Sequence, residues 1–231
     1  KVRYHVVHEL VRYRLGAKRK RPRPVRQNQD LEAVEDFPER LSEDLLLLVA
    51  NFSSTSKIRY WCEDESRFGL KTIERTKITA KGVQPIGMSQ WVFKTVWLYG
   101  LVEPVSGESV LWEFSHLDSI CFEAFLDYFS QQYPDEIHII QLDNSGAHTA
   151  SQINIPDNIQ LLFQPPYSPE LNPIERLWKF LKDKLAWQLW TDLEELKAEI
   201  EFHIRQLTKP IVASVTGWDS ILDALCVSGI F

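Results

Sequence analysis

The chain is poor in the residues that would mark several common protein classes. Its 231 residues hold three cysteines, Cys62, Cys121 and Cys226. They are far apart and odd in number, with no C-x-x-C pair. That spacing implies no disulfide framework and offers no thiolate metal-ligand pattern, so buried free thiols are the expected state. No Walker-type phosphate loop, no G-x-G-x-x-G turn and no H-E-x-x-H pair occurs, which removes the common nucleotide-binding and zinc-hydrolase signatures. The longest apolar run, Leu45 to Ala50, is far too short to span a bilayer. Lys1 to Leu10 mixes polar and apolar residues and does not read as a signal peptide. The expectation is a cytoplasmic protein without membrane attachment. With 44% hydrophobic and 25% charged residues, the composition is that of one substantial domain, with room for a small appendage.

Charge is unevenly spread. The net charge of −6 argues at first against a nucleic-acid partner. Residues 1 to 26, however, carry ten Lys or Arg and one acid, while the remaining 205 residues carry 16 and 31. Phosphate contact is therefore cheapest at the N-terminal end, where Arg12, Arg14, Lys18, Arg19, Lys20, Arg21 and Arg23 are the candidate DNA contacts. Tyr4, Val7, His8, Val11 and Leu15 recur at helical spacing before Gly16, a plausible C-cap. Such a helix cannot bury its apolar face alone, so a preceding partner segment is expected. Two prolines and dense charge make residues 18–24 an extended basic linker, either a solvated tether or a DNA-contacting arm.

The body reads as a mixed α/β domain. A helical stretch over residues 30–50 precedes a change of texture. Strands are expected at Ile58 to Cys62, Trp91 to Val102 and Glu108 to Phe114, the last two joined by Pro104-Val105-Ser106-Gly107 as a hairpin. Leu117 to Tyr133 has helical period. Ile137 to Leu142 and Ile159 to Phe163 are short apolar runs that suit buried strands. Helices follow at Pro173 to Leu185, at Thr191 to Leu207 with a capping pattern from Thr191 to Glu194, and at Trp218 to Leu225. Antiparallel strands followed by alternating strands and helices imply a mixed sheet covered by helices.

Three acids stand out by position. Asp64 ends the first strand in Trp61-Cys62-Glu63-Asp64-Glu65-Ser66, although pattern alone does not choose it over Glu63 or Glu65. Asp143 ends the run Ile139-Ile140-Gln141-Leu142, beside Asn144. Glu175 lies in the first turn of the helix that follows Asn172-Pro173-Ile174. Carboxylates beyond strand ends can converge, and three hard oxygen donors suit Mg²⁺ or Mn²⁺, which as a pair activate a hydroxyl and stabilise a leaving oxygen in phosphodiester chemistry. Simpler roles compete. Asp143-Asn144 fits a turn, and Glu175 fits a capping box with Asn172 or an ion pair with Lys179. Trp178 shares an apolar helix face with Ile174, Leu177 and Leu181 and reads as core, while Lys179 and Lys182 read as the exposed side.

Together these stretches resemble the bacterial insertion-sequence branch of the mariner-like DDE transposases. The resemblance rests on Asp64-Glu65-Ser66-Arg67-Phe68-Gly69, on Leu142-Asp143-Asn144 with His148, and on the long run from Pro166-Tyr167-Ser168-Pro169 through Asn172-Pro173-Ile174-Glu175-Arg176-Leu177-Trp178. Lys81 to Pro85 and Trp97 to Gly100 are similar as well. The resemblance implies a ribonuclease H-like catalytic domain over residues 30–231, preceded by the end of a helix-turn-helix module and basic linker over residues 1–29. It implies Asp64, Asp143 and Glu175 as catalytic residues holding two Mg²⁺ or Mn²⁺ ions, with Asn144, His148 and Asn172 in support. It further implies cleavage at transposon ends and transfer into target DNA at TA, by a homodimer on its DNA in the nucleoid. Asp143 and Glu175 stand 32 positions apart, shorter than the family's usual spacing, and the shortening is expected between Ala150 and Asn158. Two other readings stay open: a catalytically silent DNA-binding remnant, and a ribonuclease H-like nuclease indifferent to end sequence.

Overall fold

The computed structural model describes residues 3–16, 28–53, 56–149 and 153–231. Its centre is a five-stranded sheet in the order β3-β2-β1-β4-β5. Here β1 is Ile58–Gly69, β2 Thr95–Val102, β3 Ser109–Phe114, β4 Ile137–Leu142 and β5 Ile159–Phe163. The first three strands run antiparallel to one another, and β4 joins β1 in parallel, as does β5 to β4. The expected mixed sheet flanked by helices is what forms.

Helices cover both faces. α1 is Tyr4–Glu9, continued by a π-type turn over Leu10–Arg14, and buries nothing. Arg12 and Arg14 are exposed on that turn. Gly16 closes it at φ +59, a value glycine adopts without strain. The candidate contacts Lys18, Arg19, Lys20, Arg21 and Arg23 lie outside the described residues. α2 is Leu31–Val49, α3 Ser119–Gln132, α4 Ile174–Lys184, α5 Leu193–Arg205, α6 Lys209–Thr216 and α7 Asp219–Ser228. Phe37, Leu41 and Leu45 of α2, the apolar stripe of α4 and residues of α5, α6 and α7 share one core with Tyr60, Cys62 and Val102 of the sheet. Phe122, Phe125, Leu126 and Phe129 of α3 form the other with Trp61, Tyr99 and Ile140. Neighbouring residues Tyr60, Trp61 and Cys62 thus serve opposite cores, as the alternation of a strand requires. Among the described residues no single helix is long and apolar enough to cross a membrane.

Four expectations need correction. β1 does not end at its acids but runs on to Gly69, so Asp64 sits inside the strand. The strand expected from Trp91 begins at Thr95, because β1 offers its last partner at Gly69, opposite Thr95. The capping box of α5 is shifted by one. Asp192 accepts from the Glu195 amide at 3.0 Å, and Glu195 reaches back to the Thr191 amide at 2.7 Å. Finally, α6 occupies a stretch in which the sequence pattern predicts no helix.

Candidate active site

The three carboxylates reach one place by three local routes. The parallel register pairs Cys62 with Gln141, so Asp64 and Asp143 each stand two residues past the last matched pair, Asp143 just beyond the end of β4 and Asp64 within β1. Glu175 arrives on the first turn of α4. The loop before that helix is bolted to the sheet by buried amides. The Gln141 side chain donates to the Leu171 carbonyl at 2.9 Å and to Gln164 Oε1 at 2.8 Å, and Tyr60 donates its hydroxyl to Gln141. Asn172 donates to the Glu63 carbonyl at 2.7 Å and accepts from the Ile174 amide at 3.3 Å. Asn172 thus joins the start of α4 to the residue beside Asp64, although Pro173, not Asn172, occupies the N-cap position.

Asp64, Asp143 and Glu175 line one cavity of about 540 Å³ with Asn144, Gln164 and Asn172. Tyr167 also lines it, at φ +58, a left-handed backbone that costs a non-glycine residue of order 1–2 kcal/mol. Such strain gathers where a loop shape matters more than its comfort. The Asn144 amide donates to the Gln164 carbonyl at 2.6 Å, which fixes the turn after Asp143. The simpler role of Asp143 is also real: Ser145 N–H donates to its Oδ1 at 2.8 Å, as an Asx turn does.

Alternation puts Asp64 on the α4 face, where Trp178 Nε1–H donates to its Oδ2 at 2.9 Å. Glu63 and Glu65 point the other way, toward His148. This imidazole is 3% exposed and lies against the Phe122 ring, 4.5 Å between centroids. Its Nδ1 is 2.9 Å from Asp143 Oδ1, and its Nε2 is 3.1 Å from Glu65 Oε1 and 3.5 Å from Glu63 Oε2. Burial opposes charge on the ring, but Glu63, Asp143 and Glu65 outweigh it and lift its pKa to about 11. The three acidic neighbours thus favour the protonated form of the ring. Its hydrogen bond holds the Asp143 carboxyl below the usual range, against burial. Glu63 is fully buried and neither side-chain oxygen has a hydrogen-bond partner. Burial and then repulsion by Glu65 push its pKa well up.

Two groups of acids lie where a metal could bind, and their electrostatics differ. Glu63, Glu65 and His148 could hold one, since their ligand atoms lie within 4.8 Å of one another. That cluster includes His148, whose ring its acidic neighbours favour in the protonated form. At Asp64, burial, then repulsion by Glu175, Glu65 and Asp143, raises the pKa well above the ordinary value. The carboxylates lining the cavity repel one another, and a divalent cation bound there would offset that repulsion. Lys182, which the sequence pattern places on the exposed side, is half-buried over the Phe68 ring at 5.4 Å. Burial lowers its pKa, opposed by Glu175 and Asp64.

Comparison with known proteins identifies the family and the fold. A family described as DDE superfamily endonuclease matches residues 59–197, from the start of β1 into α5. The chain belongs to the DDE superfamily endonucleases. A protein of Sinorhizobium fredii (strain NBRC 101917 / NGR234), y4pE/y4sA, is 31% identical over 102 residues, covering 43% of this chain and 76% of that one. Among solved structures, the Mos1 mariner paired-end complex with Mn is 18% identical with a TM-score of 0.67, covering 99% of this chain and 71% of that one. The catalytic domain of Mos1 mariner transposase is 15% identical with a TM-score of 0.54, covering 91% and 98%. The fold of this DDE endonuclease is therefore the ribonuclease H-like one that its sequence implied.

Sequence reasoning missed Glu63 and Glu65 as partners of His148, and Trp178 as a partner of Asp64. The signal was present in the i, i+2 spacing of Glu63 and Glu65, which assigns them to one face of a strand. It was hidden because the apolar alternation stops before them.

Proposed function

We propose that this DDE endonuclease is a transposase that cleaves DNA at transposon ends and joins them to target DNA, at TA by family resemblance. The observation that carries the proposal is the convergence of Asp64, Asp143 and Glu175 on one open cavity, with Asp64 repelled by its neighbours. In this reading the three carboxylates hold two Mg²⁺ or Mn²⁺ ions, and the Mos1 structures described with Mn and with Mg support that choice. A bound pair of such ions would polarise the attacking hydroxyl and offset charge on the leaving oxygen. The chain's own work is placement. His148 orients Asp143, Asn144 fixes the turn behind it, and Asn172 sets the angle at which α4 presents Glu175. In cleavage, water attacks phosphorus, the P–O3′ bond breaks, and a 3′-hydroxyl and a 5′-phosphate result. In transfer, that hydroxyl attacks a target phosphodiester and displaces its 3′-oxygen.

Residues 30–231 form the catalytic unit in this proposal, and residues 1–29 the basic segment that meets the phosphate backbone. The working species in this proposal is a homodimer on transposon-end DNA, as the family resemblance implies; the Mos1 complexes with transposon ends support the DNA partner. The test is nicking of labelled duplex carrying the element's own ends with Mg²⁺ or Mn²⁺, wild type beside Asp143→Asn and Glu175→Gln. Metal-dependent cut strands from wild type alone support the assignment. Equal cleavage by the variants overturns it, and cleavage indifferent to end sequence favours a general nuclease. End-specific binding with no nicking by any of the three proteins would identify a silent DNA-binding protein.

A further inference from the structure

Trp178 looks like a core residue by its spacing, and its ring is 1% exposed with Phe68 packed edge-on at 6.4 Å between centroids. Core packing does not account for its nitrogen. Nε1–H donates to Asp64 Oδ2, and an indole nitrogen can only donate. Trp178 lies three positions beyond Glu175, so one face of α4 carries both the acid and the donor that engages Asp64.

The ring reaches Asp64 only because of what is missing across the sheet. The residue paired with Asp64 on β2 is Gly100. A Cβ there would stand 2.6 Å from Trp178 Cη2, 2.8 Å from its Cζ2 and 2.8 Å from Leu111 Cδ2. No ordinary side chain fits beneath the indole without displacing it. Gly100 has no positive φ to justify a glycine, so the reason lies in the close approach.

We propose that Gly100 and Trp178 are positioning residues for Asp64: the glycine seats the indole, and its N–H fixes one carboxylate oxygen while leaving the other to a divalent cation in the cavity. This rests on the reading of Asp64 as a metal ligand. The indole is an outer partner of the kind whose loss typically weakens metal binding about 10–100-fold.

The test is equilibrium Mn²⁺ binding by electron paramagnetic resonance, with the Mn²⁺ dependence of nicking read alongside. Trp178→Phe keeps an aromatic ring and removes the donor. Its half-saturating Mn²⁺ concentration should rise about 10–100-fold, with the rate at saturating Mn²⁺ reduced far less. Gly100→Ala should move both readouts the same way without touching any carboxylate. If either variant folds poorly, the wild type still decides. The Trp178 indole ¹H–¹⁵N signal, identified by its proximity to Phe68, should shift on Mg²⁺ addition and stay still in Asp64→Asn. A folded Trp178→Phe with unchanged Mn²⁺ binding, or a wild-type indole signal indifferent to saturating Mg²⁺, overturns the proposal. Asp64→Asn that binds Mn²⁺ as well as wild type overturns the site assignment beneath it, a separate and distinguishable failure.

Discussion

His148→Phe is the substitution that most directly probes the electrostatics of the site. Phenylalanine preserves a planar ring against Phe122 but removes the ring nitrogens that Glu63, Glu65 and Asp143 share. Removing one partner of a buried ion pair typically costs about 3–5 kcal/mol, because the remaining charge is left without compensation. At roughly 2–4 °C per kcal/mol for a chain of this size, the melting temperature should fall by about 6–20 °C. The pH dependence sharpens the test. The folded pKa of His148, about 11, lies above the ordinary value of 6.5. The stability it contributes is therefore fully present below about 6.5 and is lost as pH rises toward 11, by at most about 1.4 kcal/mol per pH unit. Wild type should lose its advantage over His148→Phe across that window. Adding Glu63→Gln to His148→Phe should recover about 1 kcal/mol or more, since neighbours in one network couple by about 0.5–3 kcal/mol. Melting by near-ultraviolet circular dichroism at several pH values measures all of this. A His148→Phe protein melting within about 2 °C of wild type, with parallel pH curves, would refute a charged His148 in the fold.

Arg59 tests the opposite end of the sheet, where it pairs with Glu103 at 2.7 Å, Glu108 at 3.0 Å and Glu136 at 3.1 Å with 7% of its side chain exposed. Arg59→Gln should destabilise by about 3–5 kcal/mol in urea unfolding and leave Mn²⁺ binding unchanged; a drop in Mn²⁺ affinity in the folded variant would contradict the separation of the two networks. Glu108 and Glu136 have folded pKa values below the ordinary one, opposed by burial and driven by Lys209, Lys57 and Arg59. Their contribution is present above about pH 4.5 and fades as pH falls through the folded values, so acid unfolding of wild type should be steeper than that of Arg59→Gln. Gly107→Ala should destabilise by more than about 2 kcal/mol, because φ is +72 and the new Cβ would fall 1.8 Å from the Lys209 carbonyl oxygen of α6; a neutral result in thermal melts would show that α6 moves freely. Replacing Lys18, Arg19, Lys20, Arg21 and Arg23 with Gln should flatten the salt dependence of DNA binding by about 0.9 in log–log slope for each phosphate that is no longer neutralised, and an unchanged slope would make that stretch a mere tether.

Much of the fold was legible because its signals are local. Ile137 to Leu142 and Ile159 to Phe163 are apolar runs bounded by polar residues, and both strands begin and end there. The helix of Glu175 announces itself by Pro173 and a stripe of Ile174, Leu177, Trp178 and Leu181. What stayed hidden depends on interactions between distant segments. Glu63, Asp64 and Glu65 look like the end of a strand, since acids have little affinity for a pleated sheet. They continue it because each finds a specific partner on its own face: Trp178 and the cavity on one side, His148 on the other. His148 is 83 residues from Glu65, and Trp178 is 114 from Asp64. No spacing rule within a single chain reports such pairs. The sequence therefore reveals which residue types the chemistry needs, while the register of β1 against β2 and β4 decides which of three consecutive acids faces the cavity and which two face the imidazole. A slip of one residue in that register would exchange their roles, so the buried amides of Gln141, Gln164 and Asn172, which lock the strands to the loop before α4, are as necessary to the site as the carboxylates they position.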